Sequence, residues 1–310
     1  MKTKTKSLLF ILTITILSAL TIVSGCKKDN DDDNDNPVVK SYRLTDLDDT
    51  DGSDAYKTKV QYTSDNKVSK ILGYVNGVNV YKSEWTYSGN DATVQDWELT
   101  EVGWVADSGF TKYVYANGHI SQVILYNAGD SVDFSKTYTW NGNNLNEEQV
   151  TLSDSYLGTG EELVFTIKYN YEGGLLKSAD WLLQGVMIRK QVIEYLNNSP
   201  VALKSYDYNN VLEESTQFIY TGSNISKVNY FKVSDGTQGA VDCFENRSYD
   251  ANKNVSSVSK QCDGDLQSYT TNITWEEGTG NLQDVFLTSY SYISAYLFPD
   301  YPSEFAIKKK

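Results

Sequence analysis

The chain has 310 residues, and its 27 Lys and Arg against 41 Asp and Glu give a formal net charge of -14. Such a chain has no basic surface to neutralise phosphates, which excludes a nucleic-acid partner. A composition 40% hydrophobic and 22% charged excludes a polytopic helical membrane protein and a wholly disordered chain. With 24 Tyr and 6 Trp against 4 Pro, it favours strands.

The first element is an address. Lys2, Lys4 and Lys6 precede an apolar run from Leu8 to Val23, the charged and hydrophobic regions of a secretory signal. The run ends in Val23-Ser24-Gly25-Cys26, which resembles the lipobox of bacterial lipoproteins. The resemblance implies cleavage before Cys26, diacylation of its thiol, and a lipid that holds the protein to the outer membrane. Residues 1–25 are then a lipoprotein signal peptide. Cleavage removes three lysines and no acid, taking the net charge from -14 to -17.

Residues 26–40 follow as an acidic flexible tether, since Lys27 to Asn36 has no apolar residue to bury. An acidic run just after a lipidated Cys is similar to the export signal of Bacteroidota surface lipoproteins. A calcium loop is the sharper alternative, but no glycine turns the run back on itself. The second acidic stretch, Asp46 to Asp54, fails the EF-hand pattern: with Gly52 at its sixth position, the first and twelfth are Leu47 and Thr58.

From here an internal repeat organises the chain. An aromatic residue recurs at Tyr62, Tyr87, Tyr115, Trp140, Tyr171, Tyr195, Tyr220, Tyr249 and Trp275, a period of about 27 residues. Two positions earlier stand Val60, Trp85, Tyr113, Tyr138, Tyr169, Ile193, Phe218, Arg247 and Ile273, apolar in all units but the eighth, with mostly polar residues between. A period of two is a half-buried strand. Turn formers follow each anchor, among them Asn66, Asn117-Gly118, Gly173-Gly174, Asn197-Asn198, Gly222 and Asn252. The return strand often opens with β-branched residues three apart, as in Val68/Ile71, Ile120/Val123, Ile225/Val228 and Val255/Val258. An odd spacing requires a bulge or a change of face.

Each unit therefore reads as a β-hairpin, and residues 41–290 as nine of them. The segment Tyr249-Asp250-Ala251-Asn252-Lys253-Asn254-Val255-Ser256-Ser257-Val258 resembles the YD repeat of Rhs-type proteins, with Lys253 where that motif usually has Gly. In plan the chain is similar to YD-like repeat lipoproteins of Bacteroidota. The shell-and-toxin function of Rhs proteins is not carried over, because the units are too few for a closed cocoon and no toxin-like domain follows.

The expected fold is all-β, an extended curved antiparallel meander forming an incomplete barrel or spiral. A barrel spanning the outer membrane is the alternative architecture, since strand alternation alone does not tell the two apart. The stretch from Tyr290 to Phe305 breaks the repeat, and residues 291–310 are expected to cap the open end of the sheet.

Cys243 and Cys262 are an even pair in an exported chain. Their midpoint falls in the turn of the eighth hairpin, so a symmetric register sets the thiols face to face on a hydrogen-bonded rung, with Cα atoms about 5.5 Å apart. A disulfide is expected. A metal pair is the alternative, but two Cys without a neighbouring His do not complete a zinc site, and neither metal nor cofactor is expected. In this reading Arg247 lays its stem along Val258.

Catalytic patterns are missing. The single histidine, His119, lies beside a turn, and no nucleophile elbow or phosphate-binding glycine loop is present. Adjacent carboxylates such as Glu147-Glu148 point to opposite faces of a strand and make poor catalytic pairs. No enzyme activity is expected. Trp97, Trp104 and Trp181 fall outside the anchor frame and are candidate ligand-binding residues, with packing in a connection as the competing role. Two functions fit: a surface lipoprotein recognising a glycan or protein, or an accessory subunit of an envelope complex.

Overall fold

The computed structural model describes residues 41–51, 54–264 and 269–278. Its opening strand is β1 (Tyr42–Asp51). Hairpins follow in order: β2 (Asp54–Tyr62) with β3 (Val68–Val75), and β4 (Val78–Ser88) with β5 (Asp91–Thr100). A short β6 (Gly103–Ala106) precedes β7 (Phe110–Ala116) with β8 (His119–Tyr126), then β9 (Val132–Asn141) with β10 (Asn144–Leu152). Next are β11 (Leu163–Glu172) with β12 (Leu175–Leu183), and β13 (Val186–Leu196) with β14 (Ser199–Asp207). The last are β15 (Leu212–Thr221) with β16 (Asn224–Ser234), β17 (Thr237–Tyr249) with β18 (Val255–Cys262), and β19 (Tyr269–Glu277). One helical turn, α1 (Asp154–Leu157), is capped by Ser153, whose side chain accepts from the Tyr156 N–H.

Every pairing is antiparallel between successive strands, save that β6 hangs from β5 alone and β19 pairs with β1. That last pairing corrects the expectation of an incomplete barrel or spiral. The structure is a closed barrel of 18 strands with β6 outside the ring. The reason lies in the ninth repeat, whose anchor strand β19 takes its return strand from the start of the domain. Leu44 and Leu47 on β1 stand opposite Trp275 and Ile273, just as Val255 and Val258 stand opposite Tyr249 and Arg247. The expected capping tail, 291–310, lies outside the described residues.

The odd spacing is a bulge. In eight of the nine hairpins one residue of the return strand is looped out between the anchor and the residue before it. The extra residue is Thr45, Ser69, Ser121, Ser226 or Ser256 in five units. Thr45, Ser121 and Ser226 turn their hydroxyls back to the carbonyls of Thr274, Val114 and Ile219, at 3.3, 3.0 and 3.2 Å. In the β4–β5 unit Ala92 and Val94 are two apart and the ladder runs without a shift. The turn of the eighth hairpin takes its positive φ at Lys253, 69°, rather than at Asn252.

The anchors stitch the ring. Tyr87 donates its hydroxyl to the Val68 carbonyl at 2.8 Å, the first return residue of the preceding hairpin. The same bond recurs from Trp140 to Ile120, Tyr171 to Leu145, Tyr195 to Leu176, Tyr220 to Pro200, Tyr249 to Ile225 and Trp275 to Val255, at 2.7–3.1 Å. Tyr62 makes the same bond across the seam, donating to Leu44 of β1 at 2.8 Å. Each ring thereby covers a return residue that is almost fully buried, as Leu44, Val68, Ile120, Leu145, Leu176 and Val255 are.

Two residues before each anchor, all nine side chains are buried. This face is the inward one, because no described element wraps the outside of the ring. Burial of each aliphatic residue there contributes about 1.5–3 kcal/mol. Outward faces are polar at mid-strand, with Glu147, Lys168, Asp180 and Lys190 opposite one another across β10 to β13. Lys57–Asp48 and Lys204–Glu194 pair there at 2.8 and 2.7 Å. In a bilayer each cation at that level costs about 2–4 kcal/mol, so this polarity is opposite to that of a membrane-spanning wall.

Candidate functional site

The inward face changes character along the strands. Four residues before the anchors stand Thr58, Ser83, Thr111, Lys136, Ile167, Gln191, Thr216, Glu245 and Thr271, polar in all units but the fifth. Beneath the apolar belt the wall is therefore a ring of polar groups, which must be satisfied by one another. Glu148, 2% exposed, receives Lys136 Nζ at 3.1 Å and the Tyr169 hydroxyl at 3.2 Å. Glu245 accepts from Tyr230 at 2.9 Å and faces Arg247 at 3.4 Å, both charges buried. Burial pushes the Glu245 carboxyl up, against the pull of Arg247 and Lys260. The polar exception at Arg247 is thus answered by a carboxylate two residues away on its own strand.

In the β4–β5 sector, Ser83 and Tyr81 both donate to Asp96 Oδ1 at 2.6 Å. Burial raises the Asp96 pKa despite these two donors. Asp96 also marks where β5 changes partner. Ala92, Thr93 and Val94 pair with β7, while Trp97 to Thr100 pair with β6. Gln95 clasps the junction, its side-chain amide donating to the carbonyls of Asp96, Asp107 and Gly109 at 3.1, 2.9 and 3.1 Å. Gly109 is required there, since a Cβ would collide with the Tyr126 carbonyl oxygen.

The hairpin released by this switch carries, among the described residues, the largest exposed apolar cluster in a short span. Leu99, Val102, Trp104 and Val105 are 39%, 89%, 39% and 45% exposed. Trp97 pairs with Ala106 and Leu99 with Trp104, so both indoles lie on the outward face as diagonal neighbours. Lys82, opposite Trp97 on β4, places its ammonium 4.4 Å from the centre of the Trp97 ring and 5.3 Å from that of Trp104. The hairpin sits at the end of the barrel remote from the anchors, whereas β1 begins at the anchor end, beside Glu277.

Trp97 and Trp104 are thus brought together, and Trp181 is not. It faces inward on β12, packs against the core and donates its indole N–H to Gln191 at 3.0 Å. Cys243 and Cys262 stand opposite each other and are disulfide-bonded, with Cα atoms 3.9 Å apart. This is closer than the expected rung, because the bulge beside Tyr249 interrupts the symmetric count from the turn. His119 stacks on Trp140 with ring centres 4.6 Å apart. Cys26 lies outside the described residues. The polar ring, the Gln95 clasp and Lys82 were not singled out by sequence reasoning; a count four residues before each anchor exposes the first of them.

No family model and no curated protein matches the chain. Among solved structures, a porin-like protein from Bacteroides uniformis is 12% identical with a TM-score of 0.45, over 74% of this chain and 96% of that one. A porin-like protein from Bacteroides vulgatus is 11% identical with a TM-score of 0.33, over 75% of this chain and 98% of that one. The TcdB2-TccC3-Cdc42 structure is 11% identical with a TM-score of 0.20, over 71% of this chain but 15% of its own length. At these values the likenesses carry no argument about what this chain binds.

Proposed function

We propose that this chain is a lipid-anchored recognition module of the cell surface, non-catalytic, held to the outer membrane through acylated Cys26 and the tether 26–40. The observation that carries this reading is the polarity of the barrel wall together with the Trp97–Trp104 hairpin. A wall that is charged outside and apolar inside is built for water, so attachment falls to the lipid. The exposed aromatic hairpin then stands at the end away from Tyr42, where β1 begins, and there a glycan or protein ligand approaches. Rings presented on a hairpin clasped at its root are preorganised for stacking.

The test is a glycan array and a pull-down with the full chain beside Trp97→Ala and Trp104→Ala. Capture should fall about tenfold or more in either variant, with the thermal midpoint little changed. Capture that survives both substitutions contradicts the platform. The unpaired outer edge of β6 favours a second reading, an accessory subunit that docks strand to strand in an envelope complex. A stable protein partner lost on Val105→Pro, with no glycan bound, selects it.

A further inference from the structure

Two lysines, one carboxylate and two indoles meet on the outward face of β3 to β6. Glu84 Oε1 receives Lys70 at 2.8 Å and Lys82 at 3.1 Å. One carboxylate neutralises one of them, so the trio carries a surplus positive charge in a chain whose formal net charge is -14. That surplus is held in place, since Lys82 also lies against Trp97 and Trp104. We propose that this juxtaposition binds an acidic glycan, with a uronate ring stacked on the exposed Trp104 face and its carboxylate directed to Lys82.

The inference rests on the recognition reading and narrows its ligand. A pyranose offers a flat C–H face that matches an indole, and a uronic acid adds one carboxylate at the edge of that same ring. An acidic peptide brings the charge without the flat apolar face, and its natural seat would be the strand edge of β6 instead. Neutral sugars would use the rings and leave the surplus cation unanswered. Charge complementarity therefore favours the acidic sugar over both.

Titration of the full chain, purified in detergent, compares polygalacturonate, its methyl ester and poly-glutamate. Polygalacturonate should bind about tenfold tighter than the ester. Lys82→Met should abolish that preference, and Trp104→Ala should weaken binding to both polysaccharides. Glu84→Gln, which releases a second positive charge, should tighten polygalacturonate binding roughly threefold; weaker binding by this variant contradicts the proposal. Equal binding of acid and ester, still sensitive to Trp104→Ala, overturns the acidic preference while leaving the recognition platform intact. Poly-glutamate binding as tightly as polygalacturonate overturns the glycan class, and failure of polygalacturonate to bind overturns the inference outright.

Discussion

At the scale of single residues, hydroxyls set the geometry of this barrel. Tyr195 reaches the Leu176 carbonyl at 2.7 Å and joins one hairpin to the one before it. Tyr195→Phe keeps the ring over Leu176 and deletes that bond alone, so the expected cost is about 1 kcal/mol in urea unfolding; an unchanged midpoint would show that the ring, not the hydroxyl, joins the hairpins. Asp96 makes a different prediction. Burial holds its folded pKa above the ordinary 3.8, outweighing the Ser83 and Tyr81 donors. The native state therefore binds this proton more tightly than the unfolded chain, a stabilisation complete below the ordinary value and lost as pH rises through the folded one. Glu245 shifts in the same direction for the same cause. Asp96→Asn still accepts from both hydroxyls and has no charge to bury. Its melting temperature relative to the native chain should rise as pH is raised above the ordinary carboxylate value of 3.8; a pH-independent difference would show that Asp96 is not the group titrating.

The hairpin is the element in which sequence and structure meet most directly. A residue pair three apart in the return strand announces the bulge, as Val68 and Ile71 do, and the pair two apart, Ala92 and Val94, announces its absence. Those signals are local; the three-apart spacing alone allowed a bulge or a change of face, and the register decides for the bulge. Glu245 answers Arg247 from two residues away on the same strand, whereas the cross-strand register sets only Val258 opposite Arg247. The β5–β6 hairpin escaped for another reason. Its departure from the wall depends on Gln95 bonding to three carbonyls, one within β5 and two in the connection between β6 and β7, and no spacing encodes that meeting. Trp97 and Trp104 could be marked as outside the repeat, but their convergence on Lys82 required the register. Gln95→Ala should loosen this hairpin without opening the barrel. Amide exchange at Trp97 to Ala106 should accelerate about tenfold, while exchange in β15 and β16 stays as it was; uniform acceleration would mean that Gln95 supports the ring as a whole.

The whole molecule turns on a pairing between the two ends of the described chain. Leu44 and Leu47 repeat the return-strand pattern, yet they precede the first anchor, and their partner strand is the last in sequence. No periodic reading that runs forward from Tyr62 places them, which is why an open meander was expected. Arg43 then fastens the seam: its Nε donates to Glu276 at 2.6 Å, its Nη1 to Asn66 at 2.9 Å, and its guanidinium lies 4.2 Å from the centre of the Tyr62 ring. Closure removes two sheet edges that would otherwise template aggregation. If β1 is the return strand of the ninth repeat, its place in the chain order is immaterial and only its place in the ring matters. A permuted chain that begins at Asp54 and carries residues 41–51 after Gly278, joined by a short Asn-Gly turn, should fold to the same barrel with a cooperative transition. A chain that begins at Asp54 and lacks β1 altogether should expose the edges of β2 and β19 and self-associate. Light scattering and thermal unfolding of the two together decide the matter: a permutant that aggregates like the truncated chain would mean that β1 closes the ring only as the leading strand.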